Sequence, residues 1–156
     1  MPKIDVADNL LERFLGRQID DTELEPMLSS AKAVLDERDL QAGTRRIELN
    51  DTNRPDLWST PGLARQLRAR LGEPLASYDC FSRTDAPLPS EGRVIEVDAG
   101  LELVRPYIVG FQAIGPEVGE DLLLDLIQTQ EKLCWSYGRK RRSIAMGIYR
   151  ARGIRY

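Results

Sequence analysis

Asn50-Asp51-Thr52-Asn53-Arg54-Pro55-Asp56-Leu57-Trp58-Ser59-Thr60-Pro61-Gly62-Leu63-Ala64-Arg65-Gln66-Leu67 is the stretch that orders the rest of the chain. Ahead of it, Arg45-Arg46-Ile47-Glu48-Leu49 alternates polar and apolar residues, the period of a strand with one buried face. Behind it, Leu63, Leu67 and Leu71 recur at helical spacing, and Gly72 supplies a stop. The turn between them is dense in local hydrogen-bonding chemistry. Asp51 and Asn53 can bond their own backbone, and Pro55 fixes φ to begin a turn. Asn53, Arg54, Pro55, Asp56 and Leu57 therefore read as a structural motif, with Asn53 and Asp56 satisfying backbone groups. Thr60 is the expected N-cap and Pro61 the first helical residue, where a missing N–H costs nothing. Arg65, Arg68 and Arg70 lie on the helix that follows; a phosphate-binding face and an ordinary solvated face are both open for them.

Outward from this centre, Pro2 to Val6 forms a short strand. A helix follows with Leu10, Leu11, Phe14 and Leu15 inward, capped by Asp5 or Asp8 and ended by Gly16. Asp20 or Asp21 opens a second helix, kept short by Pro26. Ala33 to Glu37 is a strand, and Gly43 turns the chain into the strand at 45–50. Residues 73–92 contain Pro74, Pro87, Pro89 and Gly92 with little periodicity, which makes 76–92 a linker between a module at 1–75 and a second region at 93–156. In that region the pattern predicts strands at 93–98, 104–114 and 143–149, and a long helix over 117–138. Its buried stripe is Leu123, Leu126, Ile127, Gln130, Leu133, Cys134 and Tyr137, with Gly138 as the terminating residue. The fold class is α+β.

Composition narrows the chemistry. With 42% hydrophobic and 30% charged residues in 156, the chain has the make-up of an ordinary globular protein, and it has no apolar run of membrane-spanning length. Histidine is absent, which removes the commonest general base and metal ligand and every Ser-His or Cys-His nucleophile. Cys80 and Cys134 lack metal-type spacing and read as idle or buried thiols in a cytoplasmic protein. No Gly-x-Gly-x-x-Gly, P-loop or zinc pattern occurs. No catalytic residue, metal ligand or cofactor site is predicted on this chain.

Charge is unevenly spread. The net charge is −3, yet Lys132, Arg139, Lys140, Arg141, Arg142, Arg150, Arg152 and Arg155 face no Asp or Glu between 132 and 156. The remaining residues carry a balance of −11. Arg139-Lys140-Arg141-Arg142 is the candidate RNA-binding cluster, with helix-dipole compensation or docking on an acidic subunit as the alternative. Trp135, Tyr137 and Tyr149 are candidates for base stacking or for a core.

Three stretches then resemble a known family in order and content. They are Asn53-Arg54-Pro55-Asp56-Leu57 with Gly62-Leu63-Ala64-Arg65-Gln66-Leu67; Arg105-Pro106-Tyr107-Ile108-Val109; and Gln128-Thr129-Gln130-Glu131-Lys132-Leu133 with Gly138-Arg139-Lys140-Arg141-Arg142 and Ala145-Met146-Gly147-Ile148-Tyr149. This is similar to the N-terminal region of the phenylalanyl-tRNA synthetase β subunit, of the archaeal and eukaryotic type that lacks an inserted oligonucleotide-fold domain. The resemblance implies a small α+β module like winged-helix DNA-binding folds at 1–75, then the incomplete start of an α+β editing domain at 93–156. It implies an α-subunit partner in a heterotetramer, tRNA(Phe) as ligand, and ATP and Mg²⁺ in the whole enzyme but not on this chain. Pocket-forming editing residues would lie beyond Tyr156, so the chain alone is expected to be inactive. After Ile148 the chain reads Tyr149-Arg150-Ala151-Arg152-Gly153 in place of a His-Asp-Leu-Asp-like run, which points to a divergent bacterial lineage. A domain cut at 156 would leave an exposed apolar sheet edge near Ile144–Tyr149 and a tendency to self-associate. Without the resemblance, the residues alone describe a stand-alone RNA-binding or protein-interaction module with a basic C-terminal end.

Overall fold

A computed structural model describes residues 2–74, 94–113, 115 and 117–150. It divides into two units: residues 1–76 with 118–150, and residues 77–117 with 151–156.

In the first unit, β1 (Lys3–Ala7), β2 (Ala33–Asp39) and β3 (Thr44–Leu49) form an antiparallel sheet of order β1-β3-β2. Alternation sets its two faces. Ile4, Val6, Ile47 and Leu49 are buried with Leu11 and Leu15 of α1 (Asp8–Leu15), Leu24 and Leu28 of α2 (Asp21–Leu28), and Leu63 and Leu67 of α3 (Thr60–Arg70). The opposite face is a ladder of cross-strand ion pairs. Lys3 reaches Asp36 at 2.7 Å and Glu48 at 3.2 Å, and Arg46 reaches Asp5 at 2.8 Å and Glu37 at 2.5 Å. Hydrogen bonding to Asp36 raises the Lys3 pKa, and hydrogen bonding to Asp5 raises that of Arg46. A bulge between Leu35 and Glu37 bends β2, whose charged outer half discourages further strand pairing.

The helix starts differ from the sequence expectation by single residues. Ala7 is the N-cap of α1 and makes no side-chain cap. Asp8 is instead the first helical residue, and Asp21 has the same place in α2. Both carboxylates are occupied by arginines from the sheet. Arg45, only 4% exposed, pairs with Asp8 at 2.5 Å and Asp21 at 2.6 Å and donates to the Ile19 carbonyl at 2.9 Å. Arg38 reaches Asp8 at 2.6 Å and lies 3.2 Å from Asp21, the second contact by charge rather than a directed hydrogen bond. Two cations and two anions thus tie both helix N-termini to β2 and β3. Asp20 caps α2 by accepting from the Glu23 amide. Pro26 lies inside α2, which ends two residues later in a 3₁₀ turn; the Ser29 and Ser30 hydroxyls donate to the Pro26 and Met27 carbonyls.

Helix α4 (Glu120–Lys132) packs on this unit with an unexpected face. Of the expected stripe, Cys134 is fully buried and Leu133 packs on the core, but Leu123 and Ile127 are 44% exposed and Tyr137 is 62% exposed, whereas Asp125 is 3% exposed. The contact is polar because it must satisfy backbone. Asp125 Oδ1 accepts from the Thr60 amide at 2.9 Å and the Thr60 hydroxyl at 2.6 Å, capping α3 from another helix. Beside it, the Gln128 amide donates to the Asp5 carbonyl at 2.6 Å and accepts from the Asp5 N–H at 3.0 Å. One carboxamide therefore covers a peptide group on the open edge of β1.

The strands expected at 93–98, 104–114 and 143–149 do not form among the described residues. Residues 94–98 and 105–113 are without ladder partners, and 143–150 are exposed. Hydrophobic alternation marks what a strand buries, but a strand also needs a partner for its N–H and C=O groups. In the second unit, Asp98 accepts from the Gly100 amide at 2.7 Å to open a 3₁₀ turn at Ala99–Leu101. Around it Leu103, Val109 and Phe111 are almost fully exposed. Ile144, Met146, Ile148 and Tyr149 are exposed as expected, but as irregular chain rather than a sheet edge. The linker at 76–92 and Cys80 lie outside the described residues. Cys134 is a buried free thiol whose sulfur accepts from the Met146 amide at 3.2 Å.

Candidate functional site

The central turn folds around Asp51 rather than Asn53. Asp51 accepts from the Asn53 amide at 3.2 Å on its side chain and from the Arg54 amide at 3.3 Å on its carbonyl, while Asn53 is exposed. Pro55–Leu57 is a 3₁₀ turn that buries Leu57 and Trp58 in the core. Arg54 clasps Asp56 through two bonds, 2.9 and 2.8 Å, and reaches Gln66 of α3 at 3.1 Å. The Arg54 bonds hold the Asp56 carboxyl below its ordinary pKa, with a lesser contribution from the charge of Arg65. The Lys32 ammonium, at 3.1 Å, does the same for Asp51. Ser59, not Thr60, is the N-cap of α3, accepting from the Gly62 amide at 3.1 Å; Pro61 is the second helical residue. A Cβ on Gly62 would stand 1.8 Å from the Asp56 carbonyl oxygen, so glycine is obligatory where the turn folds back on the helix. Arg65 and Arg68 are engaged with Asp56 at 3.4 Å and Glu73 at 2.6 Å.

The basic cluster has a more unusual geometry. Helix α4 loosens into a π-helical turn at Leu133–Tyr137. The chain then doubles back: the amides of Arg139, Lys140 and Arg141 donate to the carbonyls of Ser136, Trp135 and Cys134 at 3.2, 2.8 and 2.8 Å, and Gly138 donates to Leu133 at 2.7 Å. Four carbonyls of the helical segment, those of Leu133, Cys134, Trp135 and Ser136, are satisfied in this way. The geometry puts Arg139, Lys140 and Arg141 in the left-handed region, at φ +50°, +56° and +65°. Such backbone costs about 1–2 kcal/mol per residue with a side chain. Gly138 ends the helical segment as expected, but at φ −75° rather than in the left-handed region. It is glycine because a Cβ would meet the Cys134 and Ile144 carbonyl oxygens at 2.5 Å.

With their amides turned inward, the four basic residues present their side chains at the surface. Arg141 pairs with Glu131 at 2.6 Å, and the Lys140 ammonium lies 5.5 Å from the Trp135 ring centroid. Arg139 and Arg142 have no side-chain ion pair among the described residues. Among those residues no three His, Cys, Asp or Glu side chains come together as a metal site, and no helix is long and apolar enough to cross a membrane.

The chain's relatives are subunits of an aminoacyl-tRNA synthetase, a class of ligases in protein biosynthesis. The phenylalanine–tRNA ligase beta subunit of Borrelia garinii subsp. bavariensis is 42% identical over 156 residues, all of this chain and 27% of that protein. That of Treponema pallidum subsp. pallidum is 40% identical, covering 99% of this chain and 32% of its own length. In structure the chain matches a crystallised N-terminal fragment of the phenylalanyl-tRNA synthetase beta subunit from Pyrococcus horikoshii. The TM-score is 0.65 at 32% identity, with 94% of this chain and 41% of that one covered. No protein-family model matches. The chain belongs to the phenylalanine–tRNA ligase beta-subunit family and has the α+β fold of the archaeal N-terminal fragment. It spans about a quarter to a third of the length of these curated relatives.

Proposed function

We propose that the chain works as the N-terminal part of a cytoplasmic phenylalanine–tRNA ligase beta subunit, contacting tRNA(Phe) through Arg139, Lys140 and Arg142. The enzyme it serves charges tRNA(Phe) with phenylalanine, using ATP and Mg²⁺ and an alpha subunit in a heterotetramer. In this reading residues 1–75 are a structural module, 76–92 a linker, and 93–156 the opening of an editing domain, whose helix α4 packs on the module through Asp125 and Gln128.

The observation that carries RNA contact is the left-handed turn at Arg139–Arg141, a strained backbone that splays basic side chains while Arg139 and Arg142 lack ion pairs among the described residues. Each cation that neutralises a phosphate releases counterions, so binding must fall with salt. The test is binding of labelled tRNA(Phe) at low and moderate salt, with Arg139, Lys140, Arg141 and Arg142 changed to Ala in parallel. Salt-sensitive binding with a slope reduced by about 2 to 3 in the variant supports the reading. Equal binding by both forms, or by neither, refutes it.

A second reading is assembly. Leu123, Leu124 and Ile127 stand exposed on α4 as an apolar stripe, a surface suited to a protein partner such as the alpha subunit. Retention of the chain on immobilised alpha subunit, lost in Leu124→Asp, tests it.

A further inference from the structure

Beside the basic turn lies an open hollow of about 680 Å³, lined by Pro2, Thr52, Trp58, Ser136, Tyr137 and Arg139. We infer that this hollow receives one unpaired nucleotide of a bound RNA, with the base stacked on Tyr137 and its phosphate paired with Arg139. The inference rests on the RNA-contact reading above and goes beyond it in assigning a single-strand site with a stacking residue.

Three observations converge on this chemistry. First, the hollow has the size of a small-molecule site, within the range of roughly 300–1,000 Å³ that holds a group such as a nucleotide. Second, its lining has the parts a nucleotide uses. Tyr137 is 62% exposed although it sits where the helical pattern would place a core aromatic, and it makes no side-chain hydrogen bond among the described residues. The Thr52 and Ser136 hydroxyls line the same space and can meet sugar or base edges. Third, the cation there is uncommitted. Arg141 is spent on Glu131 and Lys140 lies over Trp135, but Arg139 has no ion pair among the described residues.

The backbone explains how these groups come together. The Arg139 amide donates to the Ser136 carbonyl, closing the tip of the reversal, so Ser136, Tyr137 and Arg139 sit on one bend. Thr52 and Trp58 approach from either side of the Asn53–Leu57 turn, which Asp51, Arg54 and Asp56 hold rigid. A double helix keeps its bases stacked inside and cannot offer one to this hollow, whereas a single strand can. An acidic protein segment would satisfy Arg139 but would leave the exposed ring without a planar partner.

The experiment uses the full chain and two fluorescent probes: an unstructured RNA of about twelve nucleotides and a blunt RNA duplex of similar charge, a length within the site sizes of single-strand binders. Tyr137→Leu removes the stacking face and keeps bulk, Tyr137→Phe keeps the face, and Arg142→Gln removes a charge outside the hollow. The expected result is tighter binding of the single strand. It should be weakened roughly five- to hundredfold by Tyr137→Leu and little by Tyr137→Phe. The duplex should respond to Arg142→Gln but not to Tyr137→Leu. If both RNAs bind with salt sensitivity and Tyr137→Leu changes neither, the hollow is not a nucleotide site, though the basic turn remains an RNA contact. If neither RNA binds, both readings fall together. Displacement by polyglutamate as effectively as by RNA would also overturn the inference in favour of a protein partner. Circular dichroism of each variant confirms that a lost response is not lost folding.

Discussion

Replacing Asp125 by Ala tests how α4 is held to the N-terminal unit. The carboxylate makes two bonds to Thr60, 2.9 Å to the amide and 2.6 Å to the hydroxyl, and accepts from Gln128 at 3.0 Å. Hydrogen bonds to a charged group contribute about 1.5–3 kcal/mol each. Against this stands the buried Oδ2, which has no partner and whose removal returns about 1–3 kcal/mol. The two Thr60 bonds dominate, so Asp125→Ala should destabilise the chain by about 2–4 kcal/mol. Asp125→Asn keeps an acceptor for Thr60 but loses the charge, and should cost about 1–2 kcal/mol. Urea unfolding followed by circular dichroism gives these numbers. Hydrogen exchange locates them, because the Thr60 amide should lose protection in Asp125→Ala while the amides of β3 keep theirs. If Asp125→Ala shifts stability by less than about 0.5 kcal/mol, the range of an inert surface change, the cross-helix cap contributes nothing and α4 is held in some other way.

Gly62→Ala should destabilise by about 3 kcal/mol or more, because its Cβ would collide with backbone at 1.8 Å; thermal melting reads this, and a near-neutral result would refute the close packing of turn and helix. Arg45→Met should cost about 3–5 kcal/mol by leaving Asp8 and Asp21 without their most buried counter-charge, measured by urea midpoint; the double change Arg45→Met with Asp21→Leu should recover part of the loss. The Asp56 carboxyl is held below its ordinary value near 3.8, chiefly by hydrogen bonds from Arg54. Its stabilisation is therefore complete above that value and lost as pH falls through the lower folded-state pKa. Asp56→Asn should be less stable than the parent at neutral pH, and the two acid-unfolding curves should converge at the acid end; parallel curves across the range would contradict the pairing.

What the sequence made legible was whatever a residue decides within its own few neighbours. The alternation of 45–49, the stripe of α1, Gly16 as its terminator and the Asp20 cap all appear as expected. The α3 cap falls one residue before the expected Thr60 because two capable side chains, Ser59 and Thr60, stand in a row; at α1 no side chain caps at all, since Asp8 is taken up by Arg38 and Arg45. At Ser59–Thr60 the selection has a clear cause: Ser59 closes on Gly62, which frees Thr60 to meet Asp125, 65 positions away. No local pattern encodes that second contact. The same holds for α4 and the turn after it, where apolar periodicity is right about Leu133 and Cys134 but not about Leu123, Ile127 and Tyr137, and Asp125, Gln128 and Thr129 make the polar contacts instead. Those polar residues are inward because the surfaces they meet, a helix N-terminus and a strand edge, present unpaired backbone groups that leucine cannot satisfy.

The basic run shows the limit from the other side. Arg139-Lys140-Arg141-Arg142 was conspicuous by charge alone, but its backbone was not, since nothing in four cationic residues favours positive φ. The conformation is imposed by the return of the chain onto the Leu133, Cys134, Trp135 and Ser136 carbonyls and by Gly138, whose neighbours on both sides leave no room for a side chain. A glycine chosen for close approach rather than for positive φ transfers the left-handed geometry to the three residues after it. The strain then falls on arginines and lysine, although Asn or Gly would bear it at lower cost. Replacing Lys140 by Gly would separate the two demands. It should relieve about 1 kcal/mol of backbone strain, partly offset by the lost contact with Trp135, and remove one cation from the surface. A variant more stable than the parent but weaker on RNA would mean that charge, not fold, keeps a side chain at that position. A variant that is less stable and binds unchanged would mean that the ammonium over Trp135 holds the turn together.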